Sequence, residues 1–332
     1  MIDVAGTRAM LVTSAGRKVG LVSLLVEAAA RVDGRLRVLT SDLDPTAPAH
    51  DRGHGRVDLP PIDAGGPLDT EVLRVLTAHG IGMVVPTRDA ELAFWAEHAQ
   101  TLGGSGITPV VAPLHTVRIA LDKLTFAVEG AAAGLPTIPT TETLPTGDDG
   151  PLVVKERFGA GSRSIALDVA PNEAAERAKT LRAPVFQPYL HGDEFSADAW
   201  VSRSGAIRGP VVRRRDTITD GEASVTTTVR DAALEDVTRA VLAWLPARGP
   251  VNVQLLRTED GRIHVIELNA RFGGASTCSI RAGLDVWAWE LAESCGFEPE
   301  PFRRLAGEVR QIRERLPDGN VRDHVELLED GP

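Results

Sequence analysis

Apolar residues fall in short runs separated by polar turns, and their spacing predicts most of the elements. Residues 10–13 form a brief apolar run, with Gly16 close behind. Over 19–30 the apolar positions recur at helical spacing, with Leu21, Leu24, Leu25 and Ala28 on one face. Residues 36–40 form a second run that ends at Ser41-Asp42. Next come a helix over 68–79, a buried strand over 83–86, a helix over 90–101 and a strand over 108–112. Thr87, Asp89 and Glu91 follow the carboxyl end of the 83–86 strand. Alternating strands and helices of this kind predict a parallel α/β sheet, here closing near residue 118.

The second half reads differently. A helix over 116–133 contains Asp122-Lys123, and the Pro- and Thr-rich 134–150 is a connector. A strand over 152–155 opens into Gly159-Ala-Gly161-Ser162, with a returning strand over 165–169. Residues 172–180 and 232–245 are helical, as are 286–295, while 185–190 is extended. Residues 209–212 form an apolar strand leading into a polar loop, Arg213 to Ser224. The tail, 298–332, is charged, and 310–315 more so than a closing core strand would be.

The most informative run is 251–274, VNVQLLRTEDGRIHVIELNARFGG. It predicts two strands around a tight turn at Asp260-Gly261. With that turn, Gln254 lies opposite Glu267 and Asn252 opposite Asn269. Alternation then puts Asn252, Gln254, Glu267, Asn269 and Arg271 on one face. Val253, Leu255, Ile266 and Leu268 fill the other. Oxygen donors with one carboxylate and a nearby guanidinium suit Mg²⁺ holding a phosphate chain.

Glu267-Leu-Asn269-Ala-Arg271-Phe-Gly-Gly, with Gln254 upstream, resembles the metal and phosphate motif of the ATP-grasp superfamily. The variant is that of the carbamoyl-phosphate synthase large subunit and the pyrrolysine-pathway amino-acid ligase. The resemblance runs from about Met10 to Phe297, with Lys123, Lys155, the Gly-rich loop and Glu267-x-Asn269 in order. It implies an ATP-grasp fold: an N-terminal parallel α/β (pre-ATP-grasp) domain over 1–118 and two α+β lobes, 119–190 and 191–332, around ATP.

The same resemblance implies residue roles. Gln254, Glu267 and Asn269 are expected to bind Mg²⁺, with Mn²⁺ a permitted substitute. Arg271 is expected to contact the γ-phosphate or an acyl phosphate. Lys123 and Lys155 are expected on the ATP phosphates, under a flap made of Gly159, Gly161 and Ser162. One departure is Ser164, where relatives often have Gly. Gln187, Tyr189 and Leu190 form the adenine hinge, and Glu194 takes the ribose hydroxyls. Either Arg213 or Arg215 reaches the site, since alternation sends Arg214 the other way.

Ser14, Gly16 and Arg17 end the first strand, where open α/β sheets bind ligands, and are candidates for a substrate carboxylate. A helix N-cap is the plainer reading of that turn. Asp89 and Glu222 are candidates for an amine or ammonium, or else solvated carboxylates. The reaction so implied joins a carboxylate to an amine through an acyl phosphate and releases ADP. The substrates are then small molecules, chiefly amino acids. Alternatives are phosphoryl transfer without ligation, as in carbamoyl-phosphate synthesis, and a nucleotide-binding subunit without turnover.

Composition narrows the partners. The 332 residues suffice for two or three domains. A net charge of −10 argues against nucleic acid. No apolar run reaches membrane-spanning length, and no signal peptide is visible. Cys278 and Cys295 form no metal pattern and fit a reducing compartment, so the cytoplasm is expected. The His residues, among them His50, His54, His191 and His264, show no ligand spacing. Neither GxGxxG nor GxSxG occurs. No apolar stripe argues for a homodimer, which is left open.

Overall fold

The first apolar runs assemble into a four-stranded parallel sheet in the order β2-β1-β3-β4, with β1 Ala9–Thr13, β2 Arg37–Thr40, β3 Ile81–Pro86 and β4 Thr108–Pro109. The computed structural model describes residues 9–146, 150–159, 164–219, 221–316 and 321–328. Strands β1 and β3 are buried along their whole length because helices cover both faces. Met10 and Val12 meet helix Val19–Val32, while Ala9 and Leu11 meet helices Thr70–Ala78 and Asp89–Glu97. That is why these runs are continuously apolar rather than alternating.

Two expected helices are broken. The one over 90–101 becomes Asp89–Glu97 and Ala99–Gly104, divided at His98. The one over 116–133 becomes Leu114–Leu121 and Lys123–Ala132. Asp122 leaves helical geometry and accepts hydrogen bonds from the Leu124 and Thr125 amides. An Asp followed by free amides gains more as an N-cap than inside a helix, and the break puts Lys123 at the start of the new helix. The expected 108–112 strand pairs only over Thr108–Pro109.

A small antiparallel sheet follows, ordered β6-β5-β7, from β5 Leu152–Glu156, β6 Ala166–Val169 and β7 Pro184–Pro188. The rest is one seven-stranded antiparallel sheet. It contains β8 Gly192–Val201, β9 Ile207–Thr219, β10 Glu222–Val229, β11 Gly249–Thr258, β12 Ile263–Asn269, β13 Glu308–Arg315 and β14 Val321–Leu328, in the order β12-β11-β8-β9-β10-β13-β14. Two expectations change here. The polar stretch after Val212 is not a loop, because β9 continues through Arg213–Arg215 and pairs with β10. The charged tail forms β13 and the edge strand β14; Arg310, Glu314 and Arg315 are exposed on β13, and the open edge of β14 tolerates charge.

In the β11–β12 hairpin, Gln254 faces Glu267 and Asn252 faces Asn269, as expected. A register shift after Gln254 then pairs Leu255 with Val265. The shift sends Val265 into the core with Val253, Leu255 and Leu268, and leaves Ile266 half-buried, contrary to simple alternation. The bulge predicts an asymmetry. Val265→Asn should lower unfolding free energy by about 3 kcal/mol, and Ile266→Asn by about 1 kcal/mol or less. Urea denaturation of both variants checks it; equal losses would place the shift elsewhere.

Candidate active site

The site is built on β8, where Glu194, Ser196 and Asp198 alternate with Phe195, Ala197 and Ala199. The apolar set enters the core and the polar set faces the cleft. Asp198 is 2% exposed. Its Oδ2 accepts from Arg213 Nε at 2.7 Å and Ser279 Oγ at 2.6 Å. Its Oδ1 accepts from Asn252 Nδ2 at 2.7 Å and from Ser276 Oγ. Burial pushes this carboxyl up, but Arg213 and the two hydroxyls outweigh it and hold it below its ordinary value. Asp198 thus ties β8 to β9, to β11 and to helix Thr277–Arg281. The alternating polar positions of 194, 196 and 198 could have revealed it in the sequence.

This floor corrects two expectations. Arg213 does not reach open space: it is 2% exposed and held by Asp198 and Thr226. Asn252 also belongs to the floor rather than to the open patch. Arg215, two residues further along β9, does reach the cleft. It donates to Glu194, to Gln254 Oε1 at 3.3 Å and to the Gly221 carbonyl at 2.7 Å. Arg214 points away and pairs with Asp216.

Above the floor, Asn269 Nδ2 donates to Glu267 Oε1 at 3.0 Å, and Arg271 Nη2 reaches Asn269 Oδ1 at 3.4 Å. Gln254 and Glu267 are directly opposed, with Asn269 two residues beyond Glu267 on the same strand, and the three present only oxygens and amide nitrogens, with one carboxylate. That hard-donor set fits Mg²⁺ or Mn²⁺ and lacks the soft ligands of a zinc site.

Lys155 is buried at the end of β5, and burial lowers its pKa to about 8, Glu267 and Glu194 opposing the shift and Lys123 adding to it. The Lys123 ammonium is held by the Gly159 carbonyl and, at 3.5 Å, by that of Arg157. Arg157 is itself clamped on Asp122 at 2.6 and 2.7 Å. Gly159 begins the Gly-rich loop; Gly161 and Ser162 lie outside the described residues. Gln187 is buried and donates to Thr140 Oγ1 at 2.8 Å. The Tyr189 amide donates to the Pro151 carbonyl, which removes it as an adenine donor. Leu190 follows, half-buried.

The N-terminal candidates are rearranged. The Gly16 amide donates to Asp42 Oδ2 at 2.8 Å, and the Ser14 carbonyl accepts from Thr87 Oγ1. The Gly16 amide is therefore not free for a carboxylate, while the Ser14 carbonyl contact shapes the turn. Arg17 is exposed. Lys18, absent from the sequence-based candidates, lies in its place among Arg271, Glu222, Arg313 and Asp89. Burial lowers its pKa to about 8, with Arg271 and Arg313 adding and Glu222 and Asp89 opposing. Asp89 is not open to an amine either. It forms a two-point ion pair with Arg271, Nε to Oδ1 at 2.7 Å, joining the first sheet to β12. Glu222 Oε2 lies 3.7 Å from Arg313 Nη1.

A family model described as ATP-grasp in the biosynthetic pathway with Ter operon matches residues 180–313. Another, the PylC-like N-terminal domain, matches residues 10–110. A search of curated proteins gave no match. Among solved structures, N5-carboxyaminoimidazole ribonucleotide synthetase from Thermus thermophilus is 19% identical with a TM-score of 0.71, covering 97% of this chain and 94% of that one. N5-carboxyaminoimidazole synthetase from Staphylococcus aureus, complexed with ADP, is 15% identical with a TM-score of 0.72, covering 92% and 82%. The biotin carboxylase domain of 2-oxoglutarate carboxylase from Hydrogenobacter thermophilus, with MgADP, ADP and bicarbonate, is 14% identical with a TM-score of 0.72, covering 92% and 74%. The chain has an ATP-grasp fold behind an N-terminal parallel α/β sheet.

The Asp198 floor yields a stability prediction. Asp198→Ala leaves Arg213 buried and unpaired, and should cost about 3–5 kcal/mol. Chemical denaturation measures it; a loss within 1 kcal/mol would remove Asp198 as the hub.

Proposed function

We propose that the chain is an ATP-grasp ligase that joins a carboxylate to an amine, chiefly between amino acids, and releases ADP and phosphate. The observation that carries this reading is the register that sets Gln254 against Glu267, with the buried Lys155 cation close to that carboxylate. Oxygen donors and a desolvated cation together suit a metal-bound polyphosphate and little else. The solved structures with ADP and with MgADP support the same assignment.

Each residue then has a physical task. Lys123 and Lys155 neutralise the ATP phosphates, and the Gly-rich loop that opens at Gly159, with Gly161 and Ser162, would supply backbone amides to them. Leu190 supplies the adenine hinge backbone, and Glu194, steadied by Arg215, accepts from the ribose. Gln254, Glu267 and Asn269 would hold Mg²⁺, which when bound offsets the charge between the phosphates. Arg271 is held in one plane by Asp89 and meets the transferring phosphoryl group. A substrate carboxylate oxygen attacks the γ-phosphorus, and ADP leaves. The amine, having lost its proton, attacks the acyl carbon; the C–O bond breaks and phosphate leaves. No protein nucleophile is needed, because positioning and charge neutralisation supply the rate.

The direct test is ADP release from Mg·ATP with amino acids singly and in pairs, with mass spectrometry of the products. The ligase reading expects pair-dependent ADP and a product mass equal to the two less water. ADP with one acid and no condensed product would replace ligation by phosphoryl transfer alone. Glu267→Gln should lower ADP formation by about a hundredfold or more while the fold survives; unchanged turnover would remove the metal assignment.

Lys155 adds a pH signature. With its pKa near 8, the ammonium is nearly complete at pH 7 and about one-tenth at pH 9. Affinity for a non-hydrolysable ATP analogue should weaken about tenfold across that range. In Lys155→Met the affinity should be weak and flat with pH. A flat profile in the parent protein would remove Lys155 from the phosphates.

A further inference from the structure

Two buried hydrogen-bond donors of β13 lack acceptors among the described residues, and the Lys18 cation stands near one of them. Arg313 is 11% exposed on its side chain, and its buried Nη1 makes no hydrogen bond among the described residues, with Glu222 Oε2 3.7 Å away. Its Nε is fixed by Asp323 Oδ1 at 3.2 Å, so the guanidinium cannot swing away to find one. Gln311, two residues back and on the same face of β13, is fully buried. Its Oε1 accepts from Thr277 Oγ1 at 2.9 Å, and its Nε2 has no hydrogen-bond partner among the described residues. Lys18 caps the start of helix Val19–Val32, and its ammonium makes no hydrogen bond or ion pair among the described residues.

The space around these groups is kept open. A Cβ on Gly274 would stand 2.9 Å from Arg313 Nη1, and Glu222 lies just beyond. Gln311 also lines a cavity of about 420 Å³ with Val19, Gly20, Thr277 and Asp323, whereas Lys18, Arg313 and Glu222 stand outside that lining. Buried donors without acceptors cost free energy unless a ligand brings oxygens. A carboxylate offers about four lone-pair positions, and a guanidinium with an ammonium matches them. Glu222 is half exposed on the rim, near both cations, and is suited to a ligand ammonium.

We propose that Lys18, Arg313 and Gln311 form the carboxylate anchor for an α-amino acid whose ammonium faces Glu222. The proposal rests on the ligase reading and names the acid that it activates. The anchored carboxylate lies beside Arg271, on the side where phosphoryl transfer would occur.

The chain has only four lysines, Lys18, Lys123, Lys155 and Lys179, which makes competitive acetylation a clean probe. The full-length protein is treated with acetic anhydride, and each lysine is followed by peptide mass spectrometry. The additions are a non-hydrolysable Mg·ATP analogue and each of the standard amino acids with its deaminated acid. The expected result is that at least one amino acid slows Lys18 acetylation by about tenfold, and its deaminated acid by less. Arg313→Gln should abolish that protection. Glu222→Gln, a rim change that leaves the fold intact, should erase the difference between amino acid and deaminated acid. Unprotected Lys18 with every amino acid, while nucleotide protects Lys123 and Lys155, would overturn the anchor and leave the ligase reading standing. Protected Lys18 with Lys123 and Lys155 untouched by nucleotide would uphold the anchor and defeat the ligase reading.

Discussion

The buried Asp198–Arg213 pair is the constraint on which the cleft face of the large sheet depends. An unpaired carboxylate in that position would be prohibitively costly, so its four donors are structural requirements. They come from β9, β11 and the segment after the hairpin. By holding Asn252 and Arg213 in the floor, Asp198 leaves the next positions on the same strands, Gln254 and Arg215, to face the cleft. The site is thus raised one pleat above a rigid polar layer rather than placed on mobile loops.

A second pair ties that face to the N-terminal sheet. Arg271 ends the hairpin, and Asp89 begins the helix after β3. A carboxylate on the first sheet therefore sets the plane of a guanidinium on the last. With Lys18 adjacent, the cleft becomes a joint product of both sheets. In the proposed mechanism that geometry brings nucleotide and acid together: phosphate contacts come from β5, β11 and β12, and substrate contacts from the turn after β1 and from β13.

Much of this was legible in the sequence. The continuous apolar runs gave the parallel sheet, because strands covered on both faces need no polar alternation. The hairpin register followed from its turn. What was hidden depended on contacts between distant elements. The bulge after Gln254 exchanged Val265 for Ile266, a shift of one residue that periodicity alone cannot locate. Alternation put Arg213 and Arg215 on one face, but only the β8 carboxylates decided their places: Asp198 holds Arg213 in the floor and Glu194 holds Arg215 at the cleft. Gly16 and Asp89 looked free because their partners, Asp42 and Arg271, lie 26 and 182 residues away. Lys18 was overlooked beside Arg17, although a chain with four lysines places three of them around one cleft.

The central claim is that a carboxylate is activated as an acyl phosphate. The measurement that tests it most directly follows oxygen-18 from the carboxylate of the amino acid that supports turnover. After reaction with Mg·ATP and the amine, inorganic phosphate is examined by phosphorus NMR. The account predicts one labelled oxygen in each phosphate released and one retained in the amide carbonyl. Amide formed with unlabelled phosphate would contradict it, because the carboxylate oxygen would then never have been bonded to phosphorus.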